Sequence, residues 1–155
     1  IAPAEVSEDV AKEAHELALR LAQGFELAGI LAIELFVTKD ERVIVNELAP
    51  RPHNSGHYTI EACSFDQFDA HIRGIAGWPL EQPELLKPAV MVNVLGQHVA
   101  PTRALIAEHP EWNMHDYCKA EVRHDRKMGH ITVLTDDTRQ TVADLERTGC
   151  WDDLK

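Results

Sequence analysis

Cysteine is scarce and oddly numbered: Cys63, Cys118 and Cys150 are three in 155 residues. An odd number at wide spacing argues against a disulfide framework and fits a reducing cytoplasm. Long apolar runs are missing as well. None approaches the roughly 18–20 residues that span a bilayer, and the opening residues carry no signal-peptide pattern. Basic residues are outnumbered, 15 Lys and Arg against 26 Asp and Glu, for a net charge of −11. That balance argues against a general binder of nucleic acid or of anionic membranes. Internal repeats and low-complexity segments are lacking too.

What is there suffices for a fold. Apolar residues make up 45% and charged residues 26%, so the chain can bury a core of one domain, or of one domain and a small appendage. The first residue is Ile1, and Ile-Ala-Pro-Ala reads as chain already in progress. The expectation is the C-terminal part of a longer protein.

Ser7, then Glu8 and Asp9, precede apolar residues at Val10, Ala14, Leu17 and Leu21, a capped helix with one apolar stripe. Ile30 to Val37 and Val43 to Leu48 read as strands around the polar turn 39–42, a hairpin. Pro50 and Pro52 end it, and 49–59 reads as an extended loop. Ser64-Phe65-Asp66-Gln67 has capping-box form, with Phe65, Phe68, Ile72 and Ile75 on one helical face ending near Gly77. Pro79, Pro83 and Pro88 mark a connector. Beyond it come a strand at Ala89–Leu95, a short helix from Pro101 to Ile106, strands at Asn113–Tyr117 and His130–Leu134, and a helix at Thr138–Thr148 with Val142 and Leu145 inward. Without regular βαβ alternation, the fold class is α+β with a mostly antiparallel sheet and flanking helices. The expected division is 1–82 and 83–155, the second part small and β-rich.

The hairpin carries the sharpest signal. If 39–42 is the loop, paired positions sum to 81, and Glu34 faces Glu47 with Cβ atoms roughly 4.5–5.5 Å apart. On that register Ala32, Phe36, Val43 and Val45 share their face, an apolar setting. Two like charges there call for a proton or a cation between them. Mg²⁺ fits, because it prefers oxygen and is held by one or two carboxylates with nucleotide phosphates. Two ordinary surface acids is the competing reading. By strand alternation Asn46 faces away from Glu47.

Arg51-Pro52-His53-Asn54-Ser55-Gly56-His57 follows directly. Arg51 can grip a planar oxyanion. His53 and His57 can carry protons, and Asn54 and Ser55 add hydrogen bonds. Pro52, Ser55 and Gly56 argue against a helix that would aim the two histidines at zinc. Residues 119–130 hold Lys119, Arg123, Arg126 and Lys127 against Glu121 and Asp125, with His124 and His130. This basic island in an acidic chain is either an anion pocket or a solvated loop.

The run from Val45 to Thr59, Val-Asn-Glu-Leu-Ala-Pro-Arg-Pro-His-Asn-Ser-Gly-His-Tyr-Thr, closely resembles the signature of the N5-carboxyaminoimidazole ribonucleotide synthetases, a purine-biosynthesis family of the ATP-grasp superfamily. Ala32-Ile-Glu-Leu-Phe-Val37, Ser64-Phe-Asp-Gln-Phe68, Tyr117-Cys-Lys119 and Arg126-Lys-Met-Gly-His130 agree in the expected order. The resemblance implies a ligase that couples ATP hydrolysis to carboxylation of 5-aminoimidazole ribonucleotide with bicarbonate, in the cytoplasm and commonly as a homodimer.

By the same resemblance, Glu34 and Glu47 hold Mg²⁺ under the phosphates of ATP, with Asn46 beside the nucleotide. Arg51 neutralises charge on bicarbonate or on the transferring phosphoryl group. His53 and Asn54 form the bicarbonate pocket, and His57 is a candidate for taking the amine proton. Lys119 and Arg126 grip the ribonucleotide 5′-phosphate. The fold implied is the C-terminal lobe of an ATP-grasp domain with a small C-terminal domain. The 155 residues alone are expected to be inactive without the N-terminal part. Two departures stand out. Ala49 occupies a position where many ATP-grasp relatives carry a ligating Asn, and His124-Asp125 stands where the family often has Pro-Gly. The alternatives are another ATP-grasp ligase, such as a formate-dependent glycinamide ribonucleotide transformylase, or a non-catalytic acidic binding module.

Overall fold

The computed structural model describes residues 1–152. The chain divides into two compact units, Ala4–Glu84 and a second made of Ile1–Pro3 with the chain from Leu85 onward. Both are α+β, and every strand pairing is antiparallel. Among the described residues no helix is long and apolar enough to cross a membrane.

The first unit opens with α1, Glu8–Gly24, capped by Ser7, whose side chain accepts from the Val10 N–H. Strands β1, Ala32–Val37, and β2, Val43–Ala49, form the hairpin. The register is not uniform. Glu34 pairs with Glu47, but Leu35 pairs with Val45, so Asn46 is an extra residue, a β-bulge. Toward the turn the pairs run Phe36 with Ile44 and Val37 with Val43. The sum of 81 therefore holds on the site side of the bulge and fails on the turn side. The turn is Thr38–Arg42, tied by Thr38 N–H to Arg42 O at 3.0 Å, with Glu41 in the left-handed region.

The segment after the hairpin is more ordered than an extended loop. A 3-10 turn at Asn54–Gly56 leads into a single-turn helix α2, Thr59–Ala62. Helix α3 spans Gln67–Ala76 and ends at Gly77 in the left-handed conformation. Its cap is Asp66, whose carboxylate accepts from the N–H groups of Phe68 and Asp69. Ser64 instead accepts from the Glu84 N–H at 3.0 Å, so the expected capping box does not form. The packed edge of α3 also differs from the apolar stripe. Phe68, Ile72 and Ile75 remain 42%, 58% and 58% exposed. Gln67, His71 and Gly74, spaced i, i+4, i+7, face inward instead. Nδ1 of His71 accepts from the Ile30 N–H, and a Cβ on Gly74 would stand 2.8 Å from the Gly29 nitrogen. Small and hydrogen-bonding side chains are what that close backbone approach admits.

The second unit is a three-stranded sheet in the order β3-β5-β4, from Ala89–Leu95, Lys127–Leu134 and Asn113–Asp116. Helix α4, Val99–Leu105, starts two residues before Pro101, which sits harmlessly in its first turn. Helix α5, Thr138–Arg147, is capped by Asp137. Val90, Val94, Ile131, Val133 and Leu145 form the core with Trp112 and Trp151. The two indoles meet edge to face at 5.9 Å. Ile1–Pro3 joins through reciprocal bonds between Ala2 and Ala89, each 2.8 Å.

Candidate active site

The bulge decides the geometry of the acidic pair. Opposite Glu34 it places two residues rather than one, Asn46 and Glu47. The Asn46 amide donates to Glu34 Oε2 at 3.2 Å. Regular alternation would turn Asn46 away; the bulge reverses that expectation and adds a carboxamide to the pair of acids. Like charges directly opposite on a hairpin repel, and this amide offsets part of that cost. His53 Nε2 lies 3.7 Å from Glu34 Oε1.

The setting is open, contrary to the apolar one expected. The Glu34 side chain is 43% exposed, Glu47 is exposed, and Phe36 and Ile44 near the turn are exposed as well. Burial therefore does not force a counter-ion onto the pair. Among the described residues no group of three or more His, Cys, Asp or Glu is placed to hold a metal. Two facing carboxylates with a neighbouring amide are the donor set that suits Mg²⁺, whose remaining positions go to water and phosphate oxygens, and not a metal wanting a closed protein cage.

The following loop is fixed by one side chain that sequence reading missed as part of the site. Gln67 is buried, and its amide clamps the His53 backbone. Oε1 accepts from the His53 N–H at 2.8 Å and Nε2 donates to the His53 carbonyl at 2.9 Å. Nε2 also meets His57 Nδ1 at 2.8 Å. The backbone N–H of Gln67 donates to Thr59 Oγ1, which itself donates to the Gly56 carbonyl. The available signal was Asp66, as good an N-cap as Ser64 and the one that caps α3, which releases Gln67 from the capping role. His53 Nδ1 lies 2.9 Å from Ser55 Oγ, and the His57 ring stacks on Phe68 with centroids 5.6 Å apart. Arg51 is exposed and donates to the Pro52 carbonyl at 3.1 Å. Asn54 opens the 3-10 turn that Ser55 and Gly56 complete.

Lys119 and Arg126 belong to the second unit. Lys119 Nζ donates to the Lys127 carbonyl at 2.7 Å and lies over the Tyr117 ring. Arg126 donates to the Glu121 carbonyl at 3.1 Å, and Arg123 pairs with the Glu121 carboxylate. The loop is pinned from below by Gln97, which accepts from the Asp125 N–H and donates to its carboxylate. Asp125 has φ 59°, so this chain adopts at Asp125 a backbone that glycine takes more readily. His130 is not part of an exposed island. It is buried in β5, stacked on His115 at 4.6 Å and 2.9 Å from the Tyr117 hydroxyl.

Both parts of the chain resemble known protein families. Residues 1–68 match the ATP-grasp domain family, and residues 89–144 match the phosphoribosylaminoimidazole carboxylase C-terminal domain family. The N5-carboxyaminoimidazole ribonucleotide synthase of Staphylococcus saprophyticus is 46% identical over 142 residues, 91% of this chain and 38% of the relative. The solved ADP complex of an N5-carboxyaminoimidazole ribonucleotide synthetase superposes with a TM-score of 0.95 at 42% identity, covering 99% of this chain and 41% of that one. The Aspergillus clavatus enzyme, solved with ADP and 5-aminoimidazole ribonucleotide, gives 0.86 at 34% identity over 95% of this chain and 41% of that one. The chain spans about 38% of the length of the curated relatives it matches. In sequence and fold the chain is similar, over nearly its whole length, to these N5-carboxyaminoimidazole ribonucleotide synthases, and it carries an ATP-grasp match followed by a match to the phosphoribosylaminoimidazole carboxylase C-terminal domain.

Proposed function

We propose that this chain forms the acid-bearing and anion-binding portion of a ligase that carboxylates 5-aminoimidazole ribonucleotide with bicarbonate at the expense of ATP, giving N5-carboxyaminoimidazole ribonucleotide. The observation that carries the reading is the bulged hairpin, which sets Glu34 opposite Glu47 with the Asn46 amide on Glu34. The ADP and ribonucleotide bound in the Aspergillus clavatus relative support the choice of substrates.

Each residue then has a task its chemistry suits. Glu34 and Glu47 are the ligands for Mg²⁺, with Asn46 holding Glu34 in place beside the nucleotide. When bound, Mg²⁺ neutralises charge on the polyphosphate. Arg51, a permanent cation at the exit of β2, offsets charge on bicarbonate or the transferring phosphoryl group. His53 and Asn54 line the bicarbonate pocket, with His57 at its edge. Lys119 and Arg126 bind the 5′-phosphate of the ribonucleotide. Residues 1–82 act as part of the ATP-grasp domain and residues 83–155 as a small separate domain. The working protein is a cytoplasmic homodimer that includes the rest of the ATP-grasp cleft, and the 155 residues alone do not turn over.

The test is phosphate release by the full-length protein with ATP, bicarbonate and each candidate acceptor. The reading requires release that depends on 5-aminoimidazole ribonucleotide. Release that depends on glycinamide ribonucleotide and formate would reassign the ligase. No acceptor-dependent release, together with unchanged nucleotide binding in Glu47→Gln, would leave only an acidic binding module.

A further inference from the structure

Gln67 is the first residue of α3, where a polar side chain ordinarily meets solvent, yet it is only 7% exposed. Its amide orientation is dictated by the backbone. Oε1 receives the His53 N–H at 2.8 Å while Nε2 gives a hydrogen to the His53 carbonyl at 2.9 Å. Exchanging the amide O and N would set donor against donor and acceptor against acceptor, so the assignment does not rest on the side chain alone. The second amide hydrogen then points to His57 Nδ1, 2.8 Å away. Nδ1 must hold a lone pair to receive it, and the neutral ring carries its proton on Nε2. Two features lock the arrangement. The His57 ring stacks on Phe68 at an interplanar angle of 20°. Gly56 lets the Gln67 amide lie so close that a Cβ there would be 2.7 Å from Oε1.

We propose that Gln67 is a positioning residue that fixes His57 in the Nε2–H tautomer, making His57 a hydrogen-bond donor to an anionic oxygen of bicarbonate and not the group that takes the amine proton. The tautomer follows from the hydrogen bonds around Gln67; the identity of the oxygen rests on the function proposed above.

Long-range ¹H–¹⁵N spectra of the full-length protein test the tautomer without any assay. The expected pattern is protonated Nε2 and unprotonated Nδ1 for His57 in the wild type. In Gln67→Glu, whose carboxylate can only accept, the proton moves to Nδ1. A wild-type ring protonated at Nδ1, or a pattern unchanged in Gln67→Glu, overturns the proposal. Two kinetic results bear on the role. Gln67→Leu should raise KM for bicarbonate at least tenfold with KM for ATP within twofold. His57→Gln, which places an amide N–H near the lost Nε2–H, should keep activity within tenfold of wild type, with His57→Ala at least a hundredfold down. Equal loss in His57→Gln and His57→Ala, or a rise in KM for ATP instead, refutes the donor role. The predicted tautomer in a protein with no bicarbonate-dependent turnover would sustain the positioning by Gln67 and sink the function it was assigned to serve.

Discussion

Substituting Gly56 by alanine puts the Gln67 clamp under direct load. The new Cβ would lie 2.7 Å from Gln67 Oε1 and 2.9 Å from its Cδ, whereas ordinary contact begins at 3.4 Å. The amide must therefore retreat by about 0.7 Å. Its oxygen already accepts from the His53 N–H at 2.8 Å, and a retreat of that size carries this bond to the edge of hydrogen-bonding range. A part-buried N–H left without its partner costs about 1–3 kcal/mol, so Gly56→Ala should lower stability by about 2 kcal/mol. Gly24 provides the control. It ends α1, and a Cβ added there would have nothing within 4 Å, so Gly24→Ala should be neutral or stabilising by about 0.5 kcal/mol. Equilibrium urea denaturation of both variants reads the difference, and the His53 amide resonance reports whether its partner has moved. A Gly56→Ala protein as stable as wild type, with that resonance in place, refutes the clamp.

Other consequences follow from the same contacts. Asp66→Ala removes the acceptor for two N–H groups at the start of α3 and should cost about 1 kcal/mol; Ser64→Ala, which leaves that cap intact, should cost less in the same denaturation series. Asp116 accepts from the Cys118 N–H and from Arg103, and these bonds hold its carboxyl below the usual carboxylate range. A depressed native value stabilises the fold above the unfolded-state pKa, and the contribution disappears as pH falls through the native one. Asp116→Asn should therefore be less stable than wild type at neutral pH, with the gap closing on acidification below the ordinary carboxylate range; a gap that is constant with pH contradicts the assignment.

How much is legible in the sequence depends on whether a feature is local. Ser7 as a cap, the limits of β3 and the inward face of α5 follow from short-range pattern, and the structure has them. The pairing of Glu34 with Glu47 is also within reach, because register propagates from a short loop. The bulge at Asn46 is not. Only three-dimensional pairing reveals that one strand carries an extra residue, and that single residue turns Asn46 from the far face to Glu34. The same limit hides the packed edge of α3. Apolar periodicity points to Phe68, Ile72 and Ile75, but the neighbouring backbone at Gly29 comes close enough that Gly74 and His71 are what fit. The spacing of Gln67 from Ser64 suits a cap, yet its real partners are 10 and 14 residues away in the chain. Exposure is a further surprise, since strands apolar on both faces give no sign that the acidic pair lies open to solvent.

The proposed function turns on Glu34 and Glu47 acting together on a magnesium–nucleotide complex, and calorimetric titration of the full-length protein with ADP, with and without Mg²⁺, is its sharpest test. Glu47→Gln keeps the shape of the side chain and removes its charge, so Mg²⁺-dependent affinity should fall at least tenfold while affinity measured without the metal changes little. Titration curves for wild type and Glu47→Gln that coincide in the presence of Mg²⁺ would contradict this role for the pair.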